Sequence, residues 1–591
     1  MNYIKEKKCN IVFSVIFGVI VFLFWYIIYP YHLAYHEQFQ LFLFDAEYFN
    51  DRITIPGGFA NYIAEFLTQF YHSFLIGALI IVFLYLFMQK ILWKLLKEQG
   101  VTDIYYPLSF LPIIALWHFM VDENAMLSFD ISILFSLLVC YVYTFVKKKN
   151  CNILYILFAI PTLYWIAGSS HFIFIGFVII YESLSSIKNK KYITCFVLNS
   201  LTAILGIACP LLARYFLQYP IYKLMSGIWY YRFPDIIPFD IILIIILFTT
   251  FPFVLSILPE FKKRKVLYKS LIMLVVSLFG YYYVISGCDM DKEESMEYDY
   301  LVRNRQWMNI IEKAQHKSPT SPFSVVCLNL SLAKTGQMGD RMFEFYQNGT
   351  EGLLSEFYSD FTSPLPTSEA LYHLGIISMA QRYTFEAMES IPNYNKSTRC
   401  LKRLAETNII NGQYEVAAKY LRLLKKTIFY NKWAADAMTY LYKEEKINSH
   451  KEWGWLRQIR YKNDFLFNGN ELKVMISLLY QQNTKNRMAY EYMMANMLLK
   501  RDIAGFMTIY QEDKYPRYDY IPRSYQEVLA YVWTQSHKNF EGIPWSISPN
   551  VMRDITEYAQ IFTTHLNPKE ILQSRFGKTY WNYLLIKLII Y

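Results

Sequence analysis

The chain has 591 residues, too many for one ordinary domain, and a net charge of +10. Hydrophobic residues make up 54% of it and charged residues only 18%, whereas an average soluble chain carries roughly 25% charged residues. Apolar runs fill the first half and polar sequence fills the second, which predicts two modules. No basic stripe with interleaved aromatic residues stands out, so we predict no nucleic acid partner.

About nine apolar segments approach the roughly 20 residues that a helix needs to cross a bilayer. They lie near 11–30, 70–93, 105–120, 125–146, 152–167, 171–187, 192–213, 239–258 and 266–287. The segments at 152–167 and 171–187 are short and closely joined, so they are either two full spans or a re-entrant pair. The pattern predicts that residues 1–288 form an all-α, polytopic bundle of about nine transmembrane helices.

The connections between these segments alternate in charge. Basic clusters precede the first span and follow the second, fourth, sixth and eighth, whereas the other connections are nearly free of lysine. Because basic loops stay in the cytoplasm, this pattern predicts a cytoplasmic N-terminus, and an odd number of spans places residues from about 289 outside. The first span ends without a small-residue cleavage site, so we expect it to be retained. The prediction is a multi-pass protein of the inner (plasma) membrane.

The predicted first outer loop, residues 31–69, is the most distinctive part of the apolar half. It contains the run His-Glu-Gln-Phe-Gln at 36–40 and the acidic residues Asp45, Glu47 and Asp51. Residues 59–72 then predict an amphipathic helix in the membrane interface, with its aromatic residues on one face and its polar residues toward the other.

The topology and this loop resemble the GT-C class of polytopic glycosyltransferases. The resemblance implies an enzyme that takes sugar from a lipid-linked donor at the outer membrane face. It also implies that Asp45 or Glu47, with Asp51 as a third candidate, deprotonates an acceptor hydroxyl or holds a divalent metal near the leaving phosphate. The whole chain resembles uncharacterised bacterial polytopic membrane proteins with a repeat-like outer domain, which implies a cell-envelope location.

Four further ionisable residues fall near the predicted outer ends of spans: Asp130, His171, Arg214 and Arg232. Ionisable groups within a span are costly, and they usually face a cavity or form a pair. We list all four as candidate substrate-binding residues. Arg214 or Arg232 would suit a phosphate because a guanidinium matches its oxygens, but Asp130 with Arg214 could equally be a structural ion pair.

The second module, residues 289–591, shows amphipathic helical periodicity and no alternating strand pattern, which predicts an all-helical domain outside the cytoplasm. Its best unit runs from Leu401 to about Trp433, with a turn at Gly412. This unit resembles a tetratricopeptide repeat (TPR), and an irregular helical bundle is the alternative. Stacked helix pairs usually bind partner proteins on a concave surface.

Three functions remain open from the sequence. The leading hypothesis is a transferase, embedded in the lipid bilayer, that uses a lipid-linked sugar donor at the outer membrane face. The alternative is a non-catalytic envelope scaffold whose TPR-like domain docks a partner protein. The third is a transporter, although the paired broken helices and inverted halves typical of transporters are not evident.

Overall fold

The computed structural model describes residues 2–148, 151–227, 229–233, 236–259, 265–355, 358, 360–392, 396–462, 472–511, 519–537, 539–565 and 568–585. Across these residues the chain is helical, and the β-type pairing seen in them is a single antiparallel bridge between Ala125 and Tyr231. The predicted all-α fold class is confirmed. Its physical basis is the periodicity of apolar residues along each segment.

The chain divides into two compact units. Unit 1 comprises Met1–Met290 with two short segments from later in the chain, Pro392–Thr398 and Lys426–Asn431. Unit 2 comprises Asp291–Ile391, Arg399–Lys425 and Lys432–Tyr591. The predicted domains 1–288 and 289–591 stay a prediction, since neither comparison nor geometry tests them as independent domains.

Unit 1 is built from long apolar helices and several short ones. In chain order they are α1 (Asn2–Leu23), α2 (Pro30–Gln38), α3 (Ala46–Ile53), α4 (Gly58–Thr68), α5 (Phe74–Glu98), α6 (Leu111–Phe119), α7 (Leu127–Lys148), α8 (Asn152–Ala167), α9 (His171–Asn189), α10 (Tyr192–Phe216), α11 (Ile221–Ser226), α12 (Phe239–Ser256) and α13 (Lys265–Gly287). A π-helical turn, Phe24–Ile28, separates α1 from α2, and 3-10 turns occur at Gln69–His72, Asp103–Phe110 and Gly168–Ser170.

Seven helical stretches in the described residues are long and apolar enough to cross a membrane: Lys8–Ile28, Phe74–Glu98, Leu127–Val146, Asn152–Asn189, Tyr192–Phe216, Phe239–Ser256 and Lys265–Gly287. In the most apolar windows of α10 and α13, only 22% of the residues are buried within the protein. Their remaining apolar side chains face outward, where water would penalise them and lipid would not. These features indicate a membrane protein.

The predicted count of nine spans is not confirmed. The segment predicted at 105–120 forms a 3-10 turn followed by α6, and nine residues of α-helix reach only about 14 Å of a core that is about 30 Å thick. The segments predicted at 152–167 and 171–187 form α8 and α9, which a short 3-10 turn joins into one stretch. The orientation stays a prediction, and Lys149 and residues 262–264 of the basic connections lie outside the described residues.

Glycines allow α9 to pack closely against its neighbours. A Cβ atom on Gly176 of α9 would clash with the side chain of Thr249 on α12. One on Gly206 of α10 would clash with Ile175 of α9. Small residues at crossing points let membrane helices approach, so these glycines fix the positions of α9, α10 and α12.

Unit 2 consists of shorter helices. They are α14 (Met290–Arg303), α15 (Trp307–His316), α16 (Pro322–Lys334), α17 (Met338–Arg341), α18 (Pro364–Leu374), α19 (Ile377–Glu389), α20 (Thr398–Asn411), α21 (Tyr414–Lys425), α22 (Asn431–Met438), α23 (Glu444–Ser449), α24 (Trp453–Ile459), α25 (Leu472–Gln482), α26 (Arg487–Lys500), α27 (Ile503–Gln511), α28 (Arg523–Thr534), α29 (Pro549–Thr564), α30 (Lys569–Phe576) and α31 (Tyr580–Leu585). Several successive helices, such as α15 with α16 and α25 with α26, pack against each other.

The unit predicted between residues 401 and 433 contains α20 and α21, separated by Gly412 with a φ of 80°. The left-handed backbone there requires a residue without a Cβ penalty, which is why glycine ends α20. Leu404 on α20 and Leu421 on α21 are buried as the periodicity predicts. The TPR-like assignment of the domain is not confirmed.

A network of charged side chains lies in the interior of unit 2. Arg403 donates to Glu369 at 2.6 Å and to Glu406 at 2.7 Å. Arg399 donates to both carboxylate oxygens of Asp299, at 2.5 and 2.9 Å. Burial raises the pKa of Glu369, but the charges of Arg403 and Arg399 outweigh burial and lower it to about 2. The network is therefore mutually neutralising.

Candidate functional site

Helix α2 follows the first candidate span directly and is buried on nearly all sides. Pro30 stands at its first position, where a missing N–H is tolerated and the φ angle is already helical. The buried residues of α2 are Pro30, His32, Leu33, Ala34, Tyr35, His36, Glu37 and Gln38. Five of these eight side chains are ionisable or carry an amide, and burial of such groups is costly unless they are paired.

Arg232 lies buried against α2. Its guanidinium carbon is 4.9 Å from the centre of the Tyr35 ring and 5.1 Å from that of Phe39, so two ring faces stabilise the cation. The backbone N–H of Arg232 donates to the carbonyl of Asn124 at 2.9 Å, next to the antiparallel bridge. A fixed backbone therefore holds this arginine in position beside α2.

Six buried polar residues of α2 and beside it, here called the α2 cluster, are His32, Tyr35, His36, Glu37, Gln40 and Arg232. The electrostatics of the α2 cluster leave its two imidazoles neutral. Burial, and then the charge of Arg232, lowers the pKa of His32 to about 3. Burial, with the charges of His32 and Arg232, holds the pKa of His36 well below its usual value. Burial also lowers the pKa of Arg232 itself, while its contact with Tyr35 opposes the shift. Near pH 7 the positive charge beside α2 is that of the arginine.

Glu37 is the carboxylate that the sequence analysis did not name. It is 2% exposed, and the hydroxyl of Tyr430 donates to its Oε1 at 2.9 Å. Tyr430 belongs to the segment Lys426–Asn431, which is part of unit 1. The density of polar residues at 36–40 between apolar neighbours was the available signal, but its partner is almost 400 positions away in the sequence.

The acidic residues predicted as catalytic lie farther along the first outer loop. Asp45 caps α3 by accepting from the N–H of Glu47 at 3.4 Å, and it forms an ion pair with Lys426. The hydrogen bond from Lys426 lowers the pKa of Asp45. Glu47 and Asp51 are exposed. The structure therefore gives Asp45 a local structural role and leaves the other two on the surface.

The amphipathic helix predicted at 59–72 is present as α4 and the following 3-10 turn, and the face that carries Asn61 and Glu65 is the more buried one. Asn61 and Glu65 are fully buried, whereas the aromatic residues Tyr62 and Phe66 are only half-buried. Glu65 accepts from Arg52 Nε at 2.9 Å and from Asn61 Nδ2 at 3.0 Å. Because this pairing neutralises the carboxylate, the polar face packs into the protein.

Asp130 lies in the first turn of α7, where the positive end of the helix dipole favours a carboxylate. It is fully buried, and neither of its oxygens has a hydrogen-bond partner among the described residues. The hydroxyls of Tyr71 and Tyr85 interact electrostatically with it, and they also lack hydrogen-bond partners there. Burial, and then the charge of Asp130, raises the pKa of Tyr71.

His171 and Arg214, the other two predicted substrate-binding residues, have different surroundings from Asp130 and Arg232. The ring nitrogens of His171 lie 3.0 Å from the carbonyl oxygen of Gly168 and 3.2 Å from that of Gly206, so the side chain links the start of α9 to α10. Arg214 is exposed in the last turn of α10. In the described part of the chain it forms no ion pair with Asp130. Of the four predicted substrate-binding residues, Arg232 contacts α2 through the ring of Tyr35.

Metal binding was left open by the sequence. Among the residues that the structure describes, no group of three or more His, Cys, Asp or Glu side chains could hold a metal ion. His32 and His36 are adjacent, with ring centres 4.6 Å apart, but within the described part of the chain they do not belong to such a group of three. A divalent metal at Asp45 or Glu47 stays a prediction.

A family model described as a family of unknown function (DUF6057) matches residues 7–587. The chain belongs to this family. No curated protein and no solved structure matches the chain. The family carries no activity to transfer, and the resemblances to GT-C enzymes and to TPR domains stay predictions.

Proposed function

We propose that the chain is a membrane-embedded transferase of GT-C type that takes a sugar from a lipid-phosphate donor, with α2 at the centre of its site. The observation that carries the proposal is the burial of Glu37 and Arg232 at one short helix directly after the first candidate span. Acid–base catalysis needs a positioned carboxylate, and a phosphate needs a positioned cation. The GT-C resemblance implies an acidic residue in the first outer loop, and α2 lies at the start of that loop.

The residues have complementary roles in this reaction. The acceptor hydroxyl oxygen forms a bond to the anomeric carbon of the sugar while the bond from that carbon to the lipid phosphate breaks. Glu37 accepts the hydroxyl proton, and Arg232 stabilises the negative charge of the leaving phosphate. The neutral imidazoles of His32 and His36 add no repulsion toward that phosphate.

The acidic residues of the sequence-based hypothesis become secondary candidates. Asp45 caps α3 and pairs with Lys426, so it is already occupied. Glu47 is exposed and keeps its availability for a metal or a substrate. Comparing substitutions at Glu37, Asp45 and Glu47 therefore separates the two assignments of the base.

The test is complementation of a deletion strain with full-length variants, followed by compositional analysis of its envelope glycans. We expect Glu37→Gln to lower the transfer rate by about 10²–10⁴, the usual contribution of a general base. Under this assignment Glu47→Gln should retain the wild-type glycans, whereas loss of the glycans in Glu47→Gln but not in Glu37→Gln would assign the base to Glu47. If Glu37→Gln, Asp45→Asn and Glu47→Gln all leave the glycans unchanged while deletion alters them, the transferase proposal is wrong.

A scaffold role is the second candidate, and the helix pairing in unit 2 supports it. Successive helices pack in pairs there, and surfaces of this type commonly hold partner segments. The same strains discriminate the two functions. Rescue by Glu37→Gln but not by a chain lacking residues 296–591, together with loss of a co-purifying protein, would favour the scaffold.

A further inference from the structure

A groove lies between α9 and α10, away from α2. Its volume is about 550 Å³. Apolar side chains form its walls, among them Ile179, Ile187, Tyr192 and Phe196. Both helices belong to candidate membrane spans, so the groove opens toward the lipid-facing surface of unit 1.

The groove has a polar floor that the protein does not satisfy. Ser186 lines it with a side chain only 6% exposed, and its hydroxyl has no hydrogen-bond partner among the described residues. Asn199 donates to Ser183 Oγ at 3.0 Å, but its own Oδ1 lacks a partner in that part of the chain. A buried polar group without a partner is costly, which indicates a ligand that supplies hydrogen bonds.

Positive charge borders one end of the groove. Lys188 lies in the last turn of α9, and Lys190 and Lys191 form the turn into α10; all three are exposed. From Tyr192 to Ala203 the lining of α10 extends about 16 Å, given the rise of a helix. This length is about half of a hydrocarbon core of roughly 30 Å, the depth of one leaflet.

We infer that the groove binds one anionic phospholipid. Its phosphodiester lies at the lysine turn and accepts a hydrogen bond from the Ser186 hydroxyl, and an acyl chain extends along the apolar walls toward Ala203. Basic pockets between membrane helices favour anionic headgroups over neutral ones. This site is independent of the transferase proposal, because none of its residues belongs to the α2 cluster.

The experiment uses the full-length protein purified in detergent. It is titrated with phosphatidylglycerol or with phosphatidylcholine carrying the same acyl chains, and bound lipid is counted by native mass spectrometry. We expect phosphatidylglycerol to bind more tightly. The double variant Lys190→Gln/Lys191→Gln should weaken its binding roughly 30-fold, the combined effect of two lysines at a membrane surface.

Matched variants distinguish lipid binding at this groove from non-specific effects of surface charge and surface hydrophobicity. Lys90→Gln/Lys94→Gln removes two exposed lysines at the end of α5 and should leave binding unchanged. Ala203→Trp fills the groove and should abolish binding, whereas Ile204→Trp adds the same ring outside the groove and should not. Equal binding of the two lipids, or wild-type binding by either Lys190→Gln/Lys191→Gln or Ala203→Trp, would overturn the proposal.

Discussion

The two units each bury charged groups, but they do so in different ways. In unit 2, Arg403 faces Glu369 and Glu406, so each buried charge meets an opposite one. Beside α2 in unit 1, the cation of Arg232 lies against aromatic rings, and both neighbouring imidazoles are held neutral by burial.

The difference indicates different roles. A network whose members neutralise one another is costly to break, because removal of one member leaves an uncompensated buried charge. A buried polar cluster that the protein satisfies only in part costs stability, and such clusters persist mainly where function requires them. His36 Nε2 and Gln40 Oε1 lack hydrogen-bond partners among the described residues, and the charge of Arg232 lies against aromatic rings, so the α2 cluster belongs to the second group. In the unit 2 network Arg399 Nε and Arg403 Nε also lack such partners in that part of the chain, but each of these arginines faces a carboxylate.

The largest expected effect is the loss of Arg403 from the unit 2 network. Arg403→Met leaves Glu369 and Glu406 buried with less compensation, so the free energy of unfolding of unit 2 should fall by about 3–5 kcal/mol. Hydrogen exchange of the α18 and α20 amides in the full-length protein measures this change.

Arg382→Met is the control for that substitution. Arg382 donates to Glu386 at 2.6 Å, but its side chain is half exposed. Exposed pairs contribute about 0–1 kcal/mol, so exchange rates should barely change. Equal losses in the two variants would contradict the structural role assigned to the network.

An intermediate effect is expected at Glu527, a buried acid of unit 2 that lacks a buried cation. Burial raises its pKa to about 7, although the N–H of Tyr580 and the charge of Arg523 oppose the shift. The folded state therefore keeps a proton that the unfolded state releases above about pH 4.5, and stability falls as the pH rises from there to about 7.

Glu527→Gln removes this dependence because the amide mimics the protonated acid. The variant should match the wild type near pH 4.5 and exceed its free energy of unfolding by up to about 3 kcal/mol at pH 8. Hydrogen exchange of the α28 amides at both pH values tests this, with exposed Glu541→Gln as the control. If the free energies of unfolding of Glu527→Gln and the wild type differ by the same amount at both pH values, Glu527 is not the titrating group.

The sequence was sufficient to predict the helices, but it was insufficient to predict the contacts in the α2 cluster. Periodicity and glycine placement predicted α20, Gly412 and α21, because these features depend on neighbouring residues. The contacts of Glu37 and Asp45 come from Tyr430 and Lys426, which no local pattern connects to the first outer loop.

The burial of α4 shows what the sequence pattern left undetermined. The pattern separated the aromatic residues from the polar ones but did not indicate which face packs into the protein, where Ala60 and Ala64 share the buried face with Glu65. Small residues allow close packing, and Arg52 neutralises the carboxylate. Both conditions depend on which helix lies opposite, so hydrophobicity along one segment could not reveal them.

Among these substitutions, we expect Arg232→Met to change the free energy of unfolding least. We expect its effect on function to be the largest. Arg232→Met removes a cation that burial already disfavours, and a flexible thioether can fill the space between the Tyr35 and Phe39 rings. The lost cation–π contacts and the relieved desolvation oppose each other, so we expect the free energy of unfolding of unit 1 to change by less than about 1 kcal/mol.

The deletion strain complemented with Arg232→Met should nevertheless have the same envelope glycans as the uncomplemented deletion strain. Hydrogen exchange of the α2 amides measures the stability. A loss of 3–5 kcal/mol, equal to that expected for Arg403→Met, would mean that both clusters hold the fold together and that the contrast between the two units is wrong.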